Sequence, residues 1–224
     1  MNLKNIIIIF FVFSFFILVG CNKEEKKDVV VSTGIAKNTE GSKYIIKFKN
    51  IEKDKLFSAS KVWAEDTKGN KIKADIPLNF HKPIINIYQR DFDKDGRDEI
   101  LVATEPSGDG LFFDFSILTL DKKFVTKEVF HSSGSLTFCD YWLLAPDNTI
   151  IHLDSMRDYT NKGNVIYKSK YYSCVYTPEV KNGKLVFVPG RKKESKYELD
   201  NLDGIKNVFG ISKDAIVISN VSVN

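Results

Sequence analysis

The chain is poor in the residues that most often carry chemistry. Its 224 residues hold three histidines, His81, His131 and His152, and none stands in the H-E-x-x-H spacing that sets two imidazoles around zinc. There is no G-x-S-x-G elbow to raise a serine nucleophile, and no G-x-x-x-x-G-K-[ST] loop to cradle phosphates. Ser58-Ala59-Ser60-Lys61 fits S-x-x-K, but neither S-D-N nor K-T-G accompanies it, and a lysine-rich chain produces such a match by chance. His131-Ser132-Ser133 sets an imidazole near hydroxyls, yet a triad is defined by geometry rather than adjacency. No catalytic residue is nominated. Charge is equally unspecific. The formal net charge is +4, and the densest basic cluster, Arg191-Lys192-Lys193 with Lys196, is interrupted by Glu194. That pattern reads as a solvated loop and argues against nucleic acid as a partner, which needs a clearer basic face.

What is present begins with an address. Lys4 precedes an apolar run from Ile6 to Val19, broken only by Ser14. At roughly fifteen residues the run has the length of a signal h-region and is short for a spanning helix. It ends Leu18-Val19-Gly20-Cys21, which resembles the bacterial lipobox. The resemblance implies a signal helix over 1–20, cleavage before Cys21, and acylation of the Cys21 thiol and amino group. More than one acyl chain gives stable membrane attachment. The competing reading is an uncleaved single-pass anchor. Residues 22–28 carry no apolar side chain and balance three lysines against three acids, the composition of a hydrated tether. The lipidated cysteine and tether thus span 21–28, and one β-rich globular domain spans 29–224. About 195 residues suffice for one sizeable core.

Two further cysteines remain, Cys139 and Cys174. An exported chain meets an oxidising compartment, where a disulfide between them would close a long loop and contribute a few kcal/mol. Two separate buried thiols are the alternative.

The most informative stretch is Asp91-Phe92-Asp93-Lys94-Asp95-Gly96-Arg97-Asp98-Glu99. It sets carboxylates at its first, third, fifth and ninth positions, as a hard cation with several oxygen ligands requires. Asp91, Asp93, Asp95 and Glu99 offer side-chain oxygens, Arg97 offers its carbonyl, and Gly96 suits the sharp turn. Unpaired, so many close carboxylates repel one another. The loop resembles those of FG-GAP or VCBS-type repeats, whose pattern runs roughly D-x-[DN]-x-D-G-x-x-D before an apolar strand. Here Ile100-Leu101-Val102 follows, and Glu99 replaces the usual final Asp. The resemblance implies calcium as the cation and a β-propeller-like setting, but a single copy does not make a complete propeller. An EF-hand needs Glu at the twelfth loop position and flanking helices. The twelfth position here is Val102, and the flanks Ile84–Tyr88 and Ile100–Thr104 read as strands. An acidic hairpin turn without metal is the plain alternative.

The remainder reads mainly as strands. Val29–Val31 and Tyr44–Phe48 open the series; Lys61–Glu65 and Lys71–Ile76 flank a Lys68-Gly69-Asn70 turn. Asp54–Ser60 reads as a short helix or a loop. Leu111–Leu120 alternates, with Phe113, Phe115 and Ile117 on one face and Asp114 and Ser116 on the other, the period of a half-buried strand. Lys123–Phe130 and Ser135–Ala145 continue the series, then Thr149–Asp154 and Val165–Tyr176. Asn182-Gly183 is a type I′ hairpin signal. Leu202, Ile205, Val208 and Phe209 share a helical face that Gly210 would end, and Ala215–Val223 closes as a strand. The expected fold is mostly β, built of antiparallel sheets in a partial-propeller or sandwich arrangement.

Trp63, Trp142 and the Tyr167–Tyr176 group fill a core or line a ligand surface. Three functions fit these features. The first is a lipid-anchored cell-envelope protein, facing periplasm or exterior, with a structural calcium loop and a protein or glycan ligand. The second is an exported hydrolase of envelope polymers, working from polar loops around Asp109, His131 and Asp154. The third is a structural subunit of an envelope complex, recruited through an edge strand or an aromatic patch.

Overall fold

The computed structural model describes residues 29–35, 43–54, 57–78, 80, 82–105, 112–135, 140–156, 170–196, 198–199 and 201–218. The expected signal segment and tether, together with Cys139, His81, Asp109 and Tyr167, lie outside them. Among the described residues no helix is long and apolar enough to cross a membrane.

The protein is mostly β, with every strand pair antiparallel. The described turns at 67–70, 121–125, 145–149 and 182–183 each join consecutive strands, and so short a connection permits only antiparallel pairing. The first sheet runs β1 (Val29–Ile35), β2 (Tyr44–Asp54), β3 (Phe57–Asp66), β4 (Lys71–Lys73). The second runs β5 (Ile84–Arg90), β6 (Glu99–Thr104), β7 (Phe112–Leu120), β8 (Thr126–Ser135). The third contains β9 (Tyr141–Leu144), β10 (Ile150–Met156), β11 (Lys170–Lys181) and β12 (Lys184–Pro189). Its β13 (Lys193–Glu194) pairs with β11, and β14 (Ile216–Val217) adds beyond β9. The described sheets stack face to face and close no barrel.

Side-chain alternation assigns each core. Ile46, Phe48, Val62 and Ala64 of the first sheet meet Ile84, Ile87, Ile100, Val102, Leu118 and Leu120 of the second. The other face of the second sheet, with Leu101, Ala103, Phe113, Phe115 and Ile117, meets Trp142, Leu144, Ile150, Leu185 and Phe187 of the third. The second sheet is therefore covered on both sides, and all residues of β6 are buried. This is why Ile100-Leu101-Val102-Ala103 is a continuous apolar run rather than an alternating one. The far face of the third sheet, with Leu143, Ile151, Leu153 and Tyr171, is covered by Ile205 of α1 (Leu202–Phe209).

Local signals explain the connections. Asn182 and Gly183 both have positive φ, 52° and 71°, as a type I′ turn demands. Asn201 caps α1 by accepting from the Gly204 N–H at 2.7 Å, and Gly210 ends it in the left-handed region. Gly134 of β8 permits the tightest packing: a Cβ there would fall 2.6 Å from the Phe113 ring and 2.8 Å from Trp142.

Four expectations are corrected. The described part of Asp54–Ser60 is strand rather than helix or loop: β2 runs to Asp54 and β3 starts at Phe57, which pairs with it, while residues 55–56 lie outside the described ones. β7 is buried on both faces at its centre, where Ser116 is as buried as Phe115, while Asp114 on the same face as Ser116 stays half-buried. Val208 is 47% exposed, so the apolar face of α1 is Leu202, Ile205 and Phe209. The closing strand starts at Ile216 rather than Ala215 and gives way to a turn at Ile218, and residues 219–223 lie outside the described ones.

Two side-chain amides lock the first sheet to the second. Asn50 Oδ1 accepts from the Ile84 N–H at 3.0 Å and its Nδ2 donates to the Ile84 carbonyl at 2.7 Å, as a neighbouring strand would. Gln89, fully buried, accepts from the Ile46 N–H at 3.1 Å and donates to the Tyr44 carbonyl at 3.0 Å. Asn50→Ala strips both partners from Ile84, and an unsatisfied buried polar group costs about 1–3 kcal/mol. Urea unfolding should show a lower midpoint with an unchanged slope; an unshifted midpoint would contradict the locking role.

Candidate metal centre

The loop between β5 and β6 folds its acidic side chains inward by using them as acceptors for its own backbone. The Asp95 N–H donates to Asp91 Oδ1 at 3.0 Å and Asp93 Oδ1 at 3.2 Å, and the Gly96 N–H to Asp91 Oδ2 at 2.9 Å. Two positive-φ residues, Lys94 (60°) and Gly96 (86°), make the reversal. As a result carboxylate oxygens of Asp91, Asp93 and Glu99 lie within 4.8 Å of one another. Asp95 stands apart from this triad. Its Oδ2 accepts from Arg97 Nη2 at 2.8 Å and Nε at 3.1 Å, and its Oδ1 from the Arg97 backbone N–H at 2.8 Å. Arg97, whose carbonyl the spacing nominates, is thus held through its guanidinium. That pair is exposed and contributes little, so it presents a small barrier to rearrangement.

The triad spans a gradient of burial. Asp91 and Asp93 are half-buried, whereas Glu99 opens the central strand β6 and is only 4% exposed. Its Oε2 accepts from the Phe92 N–H at 2.9 Å. Burial pushes the Glu99 carboxyl up to about 8; the Phe92 hydrogen bond opposes this and the charges of Asp93, Asp95 and Asp91 add to it. Burial also raises Asp93, reinforced by Asp95 and Asp91. A site that disfavours its own ionisation in this way is one a cation would stabilise.

Residues outside the loop hold it in place, two of them, Tyr44 and Asn148, distant from it in the sequence. Gln89 Nε2 donates to Asp98 Oδ2 at 2.9 Å, and the Tyr44 hydroxyl to the Asp98 carbonyl at 3.3 Å, tying the loop to the first sheet. From the third sheet, Asn148 Nδ2 donates to the Asp91 carbonyl at 2.6 Å and Arg90 donates to the Ala145 carbonyl at 2.9 Å. Phe92 packs edge-on to Phe187, with centroids 5.5 Å apart. The loop therefore sits where all three sheets meet. Asp93 and Glu99 also border a groove of about 410 Å³, flanked by the β7–β8 turn at Asp121 and Val125 and the β11–β12 turn at Gly183 and Lys184.

The other candidates behave differently. Ser116 Oγ donates to Glu128 Oε2 at 2.7 Å and lies 2.9 Å from His131 Nδ1. A triad needs the imidazole between acid and hydroxyl; here the hydroxyl is between them and fully buried. His152 contacts Asp140 at 2.7 Å and stacks on Trp142 at 4.1 Å between centroids. Trp142 joins Phe115, Phe130 and Tyr176 in the core, so those aromatics fill space rather than line a surface. Cys174 is a buried free thiol whose Sγ is 3.6 Å from the Gly190 carbonyl; Cys139, the other cysteine of the bridge-or-separate-thiols alternative, is outside the described residues. The chain matches no known protein family, no curated protein and no solved structure. Its functional reading rests on its own geometry.

The raised Glu99 carboxyl gives a pH prediction for metal-free protein. Unfolded, the group ionises near 4.5; folded, it keeps its proton to about 8. Between those values unfolding releases a proton, so stability should fall as pH rises and level off above 8. Glu99→Gln, neutral throughout and still able to accept from Phe92, should flatten this slope and raise stability at the alkaline end. Denaturant midpoints across that window check it; an unchanged slope in the variant would contradict it.

Proposed function

We propose that this chain is a lipid-anchored cell-envelope protein, a binding or accessory module whose Asp91–Glu99 loop holds a structural calcium ion. The observation that carries the reading is the convergence of Asp91, Asp93 and Glu99 within 4.8 Å at the meeting point of three sheets. Calcium takes 6–8 oxygen ligands in flexible geometry, and a site of three carboxylates with room for more suits it. Asp95 adds a fourth carboxylate by exchanging Arg97 for the ion, and the Arg97 carbonyl is the further ligand the loop spacing supplies. The cation relieves the repulsion among the acids and makes ionisation of Glu99 favourable. The anchor reading comes from Leu18-Val19-Gly20-Cys21, with Cys21 as the acylated residue.

The groove beside the triad supports the binding-module reading. One wall is the acidic loop and the others are two hairpin turns, so the ion would fix the shape of a surface that a protein or glycan ligand contacts. The buried Ser116 favours this reading over the hydrolase.

Calcium that binds the folded chain alone stabilises it by mass action, about 1.4 kcal/mol at ten times the dissociation constant. For a chain of this size that corresponds to a rise of roughly 3–6 °C in Tm. Thermal unfolding of the full chain in chelator and in millimolar calcium should show such a rise, and Asp93→Ala should abolish it. A response that survives Asp93→Ala would refute the ligand assignment.

A further inference from the structure

The side of the first sheet that faces away from the second carries a charge pattern that the metal loop does not use. Ile46, Phe48, Val62 and Ala64 point into the core, so the alternate positions Lys47, Lys49, Lys61, Trp63 and Glu65 point outward. The register sets Lys49 directly opposite Lys61 and Lys47 opposite Trp63. Like charges opposed across two strands repel. Among the described residues neither Lys49 nor Lys61 has an acidic partner. Glu65 is held by Lys47 Nζ at 2.6 Å and Trp63 Nε1 at 2.6 Å, so both of its oxygens are engaged away from the opposed pair. Lys71 of β4 lies 5.6 Å from the Trp63 ring centroid. The outcome is a lysine-lined sheet face with one indole at its centre and its acid already engaged.

Charge complementarity and chain length name the occupant. This sheet is the first after the N-terminal segment, and β1 begins at Val29, eight residues beyond Cys21. Eight residues span at most about 28 Å, which keeps the sheet beside whatever surface Cys21 is fixed to. We infer that this face lies on the anionic lipid headgroups of the bilayer that carries the anchor, an inference that rests on the lipid-anchor reading above. Lysines near an anionic leaflet are attracted to it within a Debye length, and an indole with a polar edge suits the interfacial zone. The opposed Lys49–Lys61 pair, repulsive in water, becomes favourable against such a surface.

The test uses the full-length acylated protein reconstituted into vesicles of phosphatidylcholine alone or with phosphatidylglycerol. Flotation reports the anchor. Amine acylation followed by peptide mass spectrometry then reports Lys49 and Lys61, with the exposed Lys184 and Lys213 as internal references. The expected result is flotation on both vesicles, with labelling of Lys49 and Lys61 slowed at least about five-fold on the anionic ones. At about 0.5 M salt the difference should vanish through screening. A Lys49→Glu/Lys61→Glu double variant should float equally and lose the contrast between vesicles at Lys71. Equal labelling on both vesicle types, with flotation intact, overturns the docked face and leaves the anchor standing. Flotation on neither vesicle overturns both.

Discussion

The structure depends on the burial of its second sheet on both faces. Ile100 and Val102 enter one core while Leu101 and Ala103 enter the other. A strand in that position has no solvent side, so whatever residue begins it goes inward as well. Glu99 is that residue, and its position in β6, more than its place in an acidic loop, makes it nearly inaccessible. A lone carboxylate at such depth is costly to ionise. The surrounding chain answers with a backbone N–H from Phe92, and with Asp91 and Asp93 held close enough to share a cation.

The same constraint accounts for the polar network around the loop. A sheet packed on both sides must be registered against two neighbours, and apolar contacts alone register poorly because they are non-directional. Asn50 and Gln89 supply direction toward the first sheet, and Arg90 and Asn148 toward the third. Gln89 belongs to both the sheet contact and the loop, since its amide reaches Ile46, Tyr44 and Asp98 together. Order in the loop and order between layers are thus linked through shared side chains. A cation bound by the loop would act on the packing of three sheets, which is the sense in which the proposed calcium is structural.

Much of this was legible in the sequence, and the remainder was not for identifiable reasons. Local chemistry was decisive wherever a turn or cap depends on its own residues: Asn182-Gly183, Gly210 and the apolar flanks of the acidic loop all behave as their types require. Asp91, Asp93 and Glu99 bring carboxylate oxygens within 4.8 Å of one another, while Asp95 is engaged by Arg97 two residues on. Long-range relations left no local trace. Ser116 reads as part of a solvent face, since nothing nearby announces that another sheet will cover it. The amides of Gln89 and Asn148 matter through partners 43 and 57 residues away. Histidines suggested chemistry by proximity to hydroxyls in sequence, whereas His131 meets Ser116 across a hairpin, in an order unsuited to catalysis.

The proposed calcium site joins three carboxylates at the junction of the sheets. The most direct measurement is diffraction from crystals of the protein grown in millimolar calcium. A single cation is expected about 2.3–2.6 Å from oxygens of Asp91, Asp93 and Glu99, with Asp95 turned from Arg97 toward it. A loop that stays empty at that concentration, or a cation held by oxygens elsewhere while the three carboxylates keep their present contacts, would contradict it.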